Sequence, residues 1–281
     1  MKSKVWFITG ASRGFGFEIA KAALAIGDKV VATVRSQPEK LANELNSENL
    51  YVIVLDVTKE EQAKQAANQA VTHFGKVDIL VNNAGFGLLG AVEEATDSEA
   101  RTSFETNVFG LLNVTRAFLP LFREQRSGHV INMSSVVGLT STGGWGLYSG
   151  TKFAVEGINE ALAHELKPLG VFSTAVEPGF FRTNFLDGSS LQSARTVIED
   201  YADTAGQMRG VASFLNYRQP GDPAKLAQAI LKLAASPNPP VHLPLGRDSL
   251  NYVNQKLDNL QKEITEWNDV ILSTDHDDVQ K

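Results

Sequence analysis

The chain has no cysteine among its 281 residues, which excludes a disulfide scaffold, thiolate catalysis and thiolate zinc sites. A long apolar run is missing too. The amino-terminal stretch Val5 to Ile8 is broken by Gly10, and no later segment approaches the roughly 18 apolar residues of a membrane span. A soluble, unexported, cytoplasmic protein without membrane contact is expected. Basic residues are outnumbered, 26 Lys and Arg against 32 Asp and Glu, for a net charge of −6. Proteins that bind nucleic acid are expected to be basic, so none is expected as a partner. The five histidines, at 73, 129, 164, 242 and 276, show no pairing at metal-ligand spacing, and no metal site is expected. The adjacent acids Glu60-Glu61 and Glu93-Glu94 read as solvated helix starts.

What is present is an ordinary globular composition, 43% apolar and 21% charged, enough to bury a large core. Short apolar runs alternate with stretches of helical period, the pattern of strands joined by crossover helices. Strands are predicted over 5–9, 29–34, 51–55, 79–82, 129–134 and 171–176, with a short seventh at 241–243. Helices are predicted over 15–25, 39–45, 59–74, 98–122, 148–166 and 223–234. The runs VWFI, YVIVL and DILV are apolar on both faces, which calls for a parallel sheet covered on both sides. The expected fold is a single α/β domain over residues 1–249, a Rossmann-type doubly wound parallel sheet of about seven strands. Its ligand would sit at the carboxyl ends of the strands.

Two stretches stand outside the alternation. Residues 184–218 form a long insertion, with glycines at 188, 206 and 210 beside apolar Leu186, Leu191, Val197, Ile198 and Phe214. It is expected to be a substrate lid, mobile until cofactor and substrate fill the cleft. Residues 250–281 form a C-terminal extension and tail. Leu250, Val253, Leu257, Leu260, Ile264, Trp267 and Ile271 recur at helical period, predicting a helix packed on the body, with 273–281 frayed.

After the first strand comes Thr9-Gly10-Ala11-Ser12-Arg13-Gly14-Phe15-Gly16, spaced GxxxGxG and opening a helix. Glycines there let the backbone approach a pyrophosphate, and the helix N-terminus offers N–H groups to it. An acid at the end of the second strand would hold a ribose 2′-hydroxyl. Here the residues are Thr33-Val34-Arg35-Ser36. Arg35, with Arg13, suits a 2′-phosphate through forked charged hydrogen bonds, so NADP(H) is the expected cofactor.

With Asp56-Val57, NNAG at 82–85, Asn107, Ser135, YSGTK at 148–152 and PGFFRT at 178–183 in this order, the chain resembles the compact single-domain short-chain dehydrogenases/reductases. The resemblance spans most of the first 185 residues and implies specific roles. Tyr148 would trade a proton with the substrate oxygen, and Lys152, one turn on, would lower the phenol pKa and bond the nicotinamide ribose. Ser135 would polarise the carbonyl, with Ser134 its rival if the register slips by one. Asn107, set mid-helix, would hold a water linking Lys152 to solvent. Gly10, Ser12, Arg13, Gly14, Phe15, Gly16, Asp56, Val57, Asn82, Ala84, Gly85, Pro178, Gly179 and Thr183 would line the cofactor.

Val137, Trp145, Phe180 and Phe181, with Phe86, Leu88, Leu139, Phe185 and Leu186 nearby in sequence, describe a pocket for a hydrophobic ketone, aldehyde or alcohol. The insertion and extension resemble the branch of 17β-hydroxysteroid and retinol dehydrogenases and carbonyl reductases. Two other readings stay open: a dinucleotide-sensing regulatory protein without turnover, and a sugar-nucleotide epimerase or dehydratase. The resemblance also implies a homodimer or homotetramer through the helices near 98–122 and 148–166.

Overall fold

Runs such as Val5–Ile8 and Ile79–Asn82 bury every side chain, so they need cover on both faces. A computed structural model describes residues 3–276. In chain order its strands are β1 (Val5–Ile8), β2 (Lys29–Val34), β3 (Leu50–Val54), β4 (Ile79–Asn82), β5 (Gly87–Leu89), β6 (Gly128–Met133), β7 (Val171–Pro178), β8 (Leu191–Ser193) and β9 (His242–Leu245). The helices are α1 (Gly14–Ala25), α2 (Pro38–Leu45), α3 (Glu60–Phe74), α4 (Asp97–Phe104), α5 (Leu111–Gln125), α6 (Gly146–Leu166), α7 (Gln207–Leu215), α8 (Pro223–Ala235), α9 (Arg247–Glu266) and α10 (Asn268–Leu272).

Seven strands form one parallel sheet in the order β3-β2-β1-β4-β6-β7-β9. One face is covered by α1 and α8 through Ile19, Leu226 and Ile230. The other carries α3, α5 and α6 over Phe7, Phe118 and Phe122, with the Phe7 and Phe118 ring centres 4.6 Å apart. The strand order reverses beside β1, between β2 and β4, and this opens the crevice at the carboxyl edge where open α/β sheets take their ligands. Among the described residues no helix is long and apolar enough to cross a membrane.

Two expectations about elements are corrected, and the insertion gains a detail. The helix expected over 98–122 is two helices, α4 and α5, joined by a wide π-helical turn at Glu105–Gly110. Such turns often mark functional sites, and Asn107 lies in this one. The insertion carries structure of its own: β8 pairs with β5 in a second, two-stranded parallel sheet, Gly87 opposite Leu191 and Leu89 opposite Ser193. Three-residue strands leave too little pattern to be read from sequence.

The C-terminal helix is present, but only its first turns pack on the body, against β9 and the turn after Ser135. All three core clusters close without it. Along α9 only Ser249 is buried, and Leu257 and Trp267 are 58% and 61% exposed. Helical period shows that a face is apolar, not what covers it. Of the expected frayed end, residues 277–281 lie outside the described residues.

Candidate active site at the carboxyl edge of the sheet

The glycine turn leaves β1 through Gly10, at φ +64°, where a Cβ would stand 2.9 Å from the Cα of Ala84. Gly14 follows at φ +60°, and a Cβ there would meet nothing nearer than Thr183 Cβ at 3.8 Å. That is the open backbone cradle a pyrophosphate needs. No side chain caps α1 at Arg13, so the first-turn N–H groups remain for an anion. Ser12, Arg13, Phe15, Arg35, Asp56, Val57, Ala84, Gly85, Pro178, Gly179 and Thr183 line the same cleft of about 550 Å³ as Tyr148 and Lys152. These residues fit a nicotinamide dinucleotide.

Three expected contacts lie behind the wall of that cleft. A Cβ on Gly16 would fall 2.6 Å from Asn83 Nδ2, so this glycine serves helix–strand packing. Asn82 turns inward and donates to Thr115 Oγ1 and Asn132 Oδ1, both at 2.9 Å. Its neighbour Asn83 lines the cleft instead and braces the turn by donating to the Thr9 and Gly10 carbonyls at 2.9 and 3.0 Å. The alternation of side chains along a strand decides between adjacent asparagines. Asn107 is the third. It clamps the Phe86 backbone, accepting from its N–H at 3.0 Å and donating to its carbonyl at 2.9 Å, and reaches Thr151 Oγ1 at 3.1 Å.

The two arginines expected to share a phosphate are placed differently. Arg13 reaches over to the insertion and donates to the Ser189 carbonyl at 2.6 Å and Ser190 Oγ at 3.0 Å. Arg35 is exposed at the cleft rim and has no ion-pair partner among the described residues.

Tyr148 and Lys152 stand one turn apart on α6, both buried. The Lys152 ammonium is 5.7 Å from the Tyr148 ring centre and donates to the Met133 carbonyl at 2.7 Å. Ser135 begins the turn after β6, its Oγ accepting from Val137 N–H at 3.3 Å, and its hydroxyl is near enough to the phenol to hold its pKa down. Ser134 instead sits beside Glu156, both converging on Gly138, so the serine at the phenol is Ser135. One electrostatic expectation is corrected. Burial pushes the Tyr148 phenol above its ordinary value, offset only in part by Ser135. Burial also lowers Lys152 to about 8, against the pull of Glu156. Desolvation penalises the charged form of each group, and Lys152 donates to the Met133 carbonyl rather than to the phenol.

On the far side of the phenol the cleft is apolar. The Trp145 and Phe185 rings lie 5.7 and 5.6 Å from Tyr148, and Val137, Phe180, Phe181 and Leu186 also line the space. Leu88 is buried within β5 instead. Met208, Val211 and Leu215 of α7 complete the wall; only the fold brings them there. Glu94 holds α7 in place. Far from being a solvated helix start, it is wholly buried, takes Arg209 at 2.7 Å, and accepts the Ala91 and Ile198 N–H groups at 2.7 and 2.9 Å. Arg209 beside it lowers the carboxyl to about 2.

Behind Lys152 the fold assembles a group that chain spacing conceals. His242 Nδ1 lies 3.2 Å from Glu156 Oε2 and 3.1 Å from Glu177 Oε1, and its Nε2 is 3.3 Å from Glu160. The expectation of isolated histidines therefore loses its ground, since residues far apart in sequence meet here at ligand distance. Burial, reinforced by Glu156, raises Glu177 to about 9, and burial raises Glu156 as well. A carboxyl whose pKa is raised on folding adds stability that is complete below its unfolded value near 4.5 and is lost as pH climbs through about 9. Thermal midpoints should therefore fall between pH 5 and 9, and Glu177→Gln, which mimics the protonated acid, should flatten that fall. Equal slopes for the two proteins in calorimetry would refute the assignment.

Comparison with known proteins places this site in a family. Residues 4–193 match the family model described as short chain dehydrogenase. A 3-ketodihydrosphingosine reductase from Bacteroides thetaiotaomicron is 37% identical over 88% of this chain and 89% of its own. The crystal structure of a short-chain dehydrogenase from Streptomyces avermitilis is 41% identical, covers 98% of this chain and 100% of that one, and superposes with a TM-score of 0.91. Among more distant structures, ElxO (28% identical, TM-score 0.74, 89% of this chain and 100% of that one) holds NADP. The 3-ketoacyl-(acyl-carrier-protein) reductase from Brucella melitensis (26%, TM-score 0.73, 87% and 97%) holds NADH. On the family match and these full-length likenesses, the chain belongs to the short-chain dehydrogenase family of oxidoreductases, which act on CH–OH and C=O groups.

Proposed function

We propose that the protein is an NADPH-dependent carbonyl reductase for hydrophobic ketones or aldehydes, running in reverse as an alcohol dehydrogenase. The observation that carries this reading is the meeting of Ser135, Tyr148 and Lys152 in one cleft, between an uncapped glycine-rich helix start and an apolar wall. NADPH bound along Gly10–Phe15, Arg35, Asp56 and Thr183 would supply the hydride. The Tyr148 phenol gives its proton to the carbonyl oxygen while the Ser135 hydroxyl holds the same oxygen. Lys152, one turn below, favours the phenolate left behind. Asn107 keeps the Phe86 backbone and Thr151 in position around that pair. The Trp145, Phe185 and α7 wall admits an apolar substituent and excludes water. A related 3-ketodihydrosphingosine reductase acts, by its name, on a ketone of this kind.

The choice of NADPH over NADH rests on Arg35, which stands at the rim without a carboxylate beside it. NADPH should give the higher kcat/KM. Arg35→Asp should shrink or reverse that preference by putting a negative charge where the 2′-phosphate would lie. Equal use of both cofactors by the wild-type enzyme would overturn the assignment. We also propose subunit contacts through α5 and α6, where Phe109 of the π turn and Phe153 of α6 are exposed. A monomer by light scattering at micromolar concentration would refute them.

A further inference from the structure

The C-terminal helix presents a seam that is largely uncovered among the described residues. Leu250, Val253, Leu257, Leu260, Ile264, Trp267 and Ile271 follow one another at intervals alternating between three and four. That is a strict seven-residue repeat, the spacing that winds helices into a left-handed coiled coil rather than the 3.6 spacing of a helix laid on a globule. Apart from half-buried Val253, these side chains are between 42% and 61% exposed. A 20-residue helix spans about 30 Å, and helices in proteins draw most of their stability from packing an apolar face against something. The helix is anchored only at its start, where Asp248 accepts the Phe180 N–H at 2.6 Å and Ser249 donates to the Glu177 carbonyl at 2.7 Å.

We infer that α9 pairs with α9 of a second copy of this chain in an antiparallel two-helix seam, an interface separate from α5 and α6. The flanking residues select copy and direction. With Leu257 facing the partner's Leu260, antiparallel packing sets Val253 against Ile264 and Leu250 against Trp267. The same register brings Lys256 beside the partner's Glu263, twice by symmetry, and Asn254 beside the partner's Gln261. Parallel packing sets Lys256 beside Gln261 and Glu263 beside Asn268, with no charge pair. A lipid surface is the poorer occupant, because residues 247–272 carry three basic against five acidic side chains, whereas surface-seeking helices favour Lys and Arg on the polar face.

The absence of native cysteine makes the test direct. Full-length Leu250→Cys/Trp267→Cys, oxidised at micromolar concentration, should run largely as an interchain disulfide dimer. The two positions lie about 25 Å apart along one helix, so the bridge cannot form within a chain. Asn259→Cys, on the outer face, sets the background. Leu250→Cys alone should stay near that background, since an antiparallel seam holds the two copies of residue 250 at opposite ends. Adding Lys256→Glu to the double-cysteine protein should lower cross-linking several-fold, and adding Glu263→Lys as well should restore it. Cross-linking no better than Asn259→Cys would overturn the pairing. So would efficient cross-linking by Leu250→Cys alone, failure of the charge swap to restore it, or flotation of the wild-type chain with phosphatidylcholine–phosphatidylserine vesicles. None of these outcomes depends on reductase activity, so the inference stands or falls apart from the proposed reaction.

Discussion

Tyr148→Phe should lower kcat for ketone reduction about 10²–10⁴-fold, the usual worth of a positioned general acid, while NADPH affinity stays close to wild type. The substitution removes one hydroxyl and keeps a ring packed between Trp145 and Phe185, so the cleft retains its shape. The expected dinucleotide contacts are the glycine turn, Arg35 and Lys152, none of which the change touches. Lys152→Ala should damage both turnover and binding, and it should also strip the Met133 carbonyl of its donor. Ser135→Ala should slow turnover with little effect on KM, because its hydroxyl acts on the developing oxyanion. Wild-type turnover by Tyr148→Phe on a good ketone would mean that the proton comes from elsewhere. The catalytic assignment would then fail while the fold and family stood.

Arg209→Met should release the lid. Removing the cation leaves the Glu94 carboxylate buried and uncompensated, a loss of typically about 3–5 kcal/mol. Glu94 keeps the Ala91 and Ile198 N–H groups, which points to the lower end, about 3 kcal/mol. At about 1.4 kcal/mol per tenfold, local opening rises on the order of 10²-fold. Hydrogen exchange should accelerate across 198–215 with the central strands little changed, and KM for a bulky ketone should rise more than kcat falls. Glu94→Gln added to Arg209→Met should recover part of the protection, because the buried charge is gone. Acid should act in the same direction as the Arg209 change. The carboxyl titrates near 2 in the folded chain, so its contribution is full above about 4.5 and drains away as pH falls through 2. Unchanged exchange in the α7 segment on Arg209→Met would show that Glu94 and Arg209 do not hold the lid.

Periodicity in the sequence made the alternation of strands and helices legible, and most boundaries fall within one or two residues of the structure: β2 and β4 coincide with their predicted ranges, and α6 begins two residues early. A fully buried strand must be apolar on both faces and a covering helix on one, so the chain itself records these elements. The glycine turn was legible because few residues other than glycine adopt positive φ, and the Tyr148–Lys152 pair because one helical turn brings positions four apart to one face. Pairings between distant residues left no such trace. Nothing around Glu94 announces Arg209, and nothing around Glu156 announces Glu177 and His242.

The sequence by itself thus determined the doubly wound sheet, the family and the residues at the crevice, since each depends on a local pattern repeated along the chain. Tertiary structure alone decided which of two adjacent asparagines faces the cleft, which of Arg13 and Arg35 bonds the insertion and that α7 completes the apolar wall. It also decided that burial, rather than a neighbouring cation, dominates the Tyr148 phenol, and that the C-terminal helix beyond its first turns stands off the body. Those outcomes turn on desolvation and on contacts between residues tens of positions apart, and both exist only once the chain has folded.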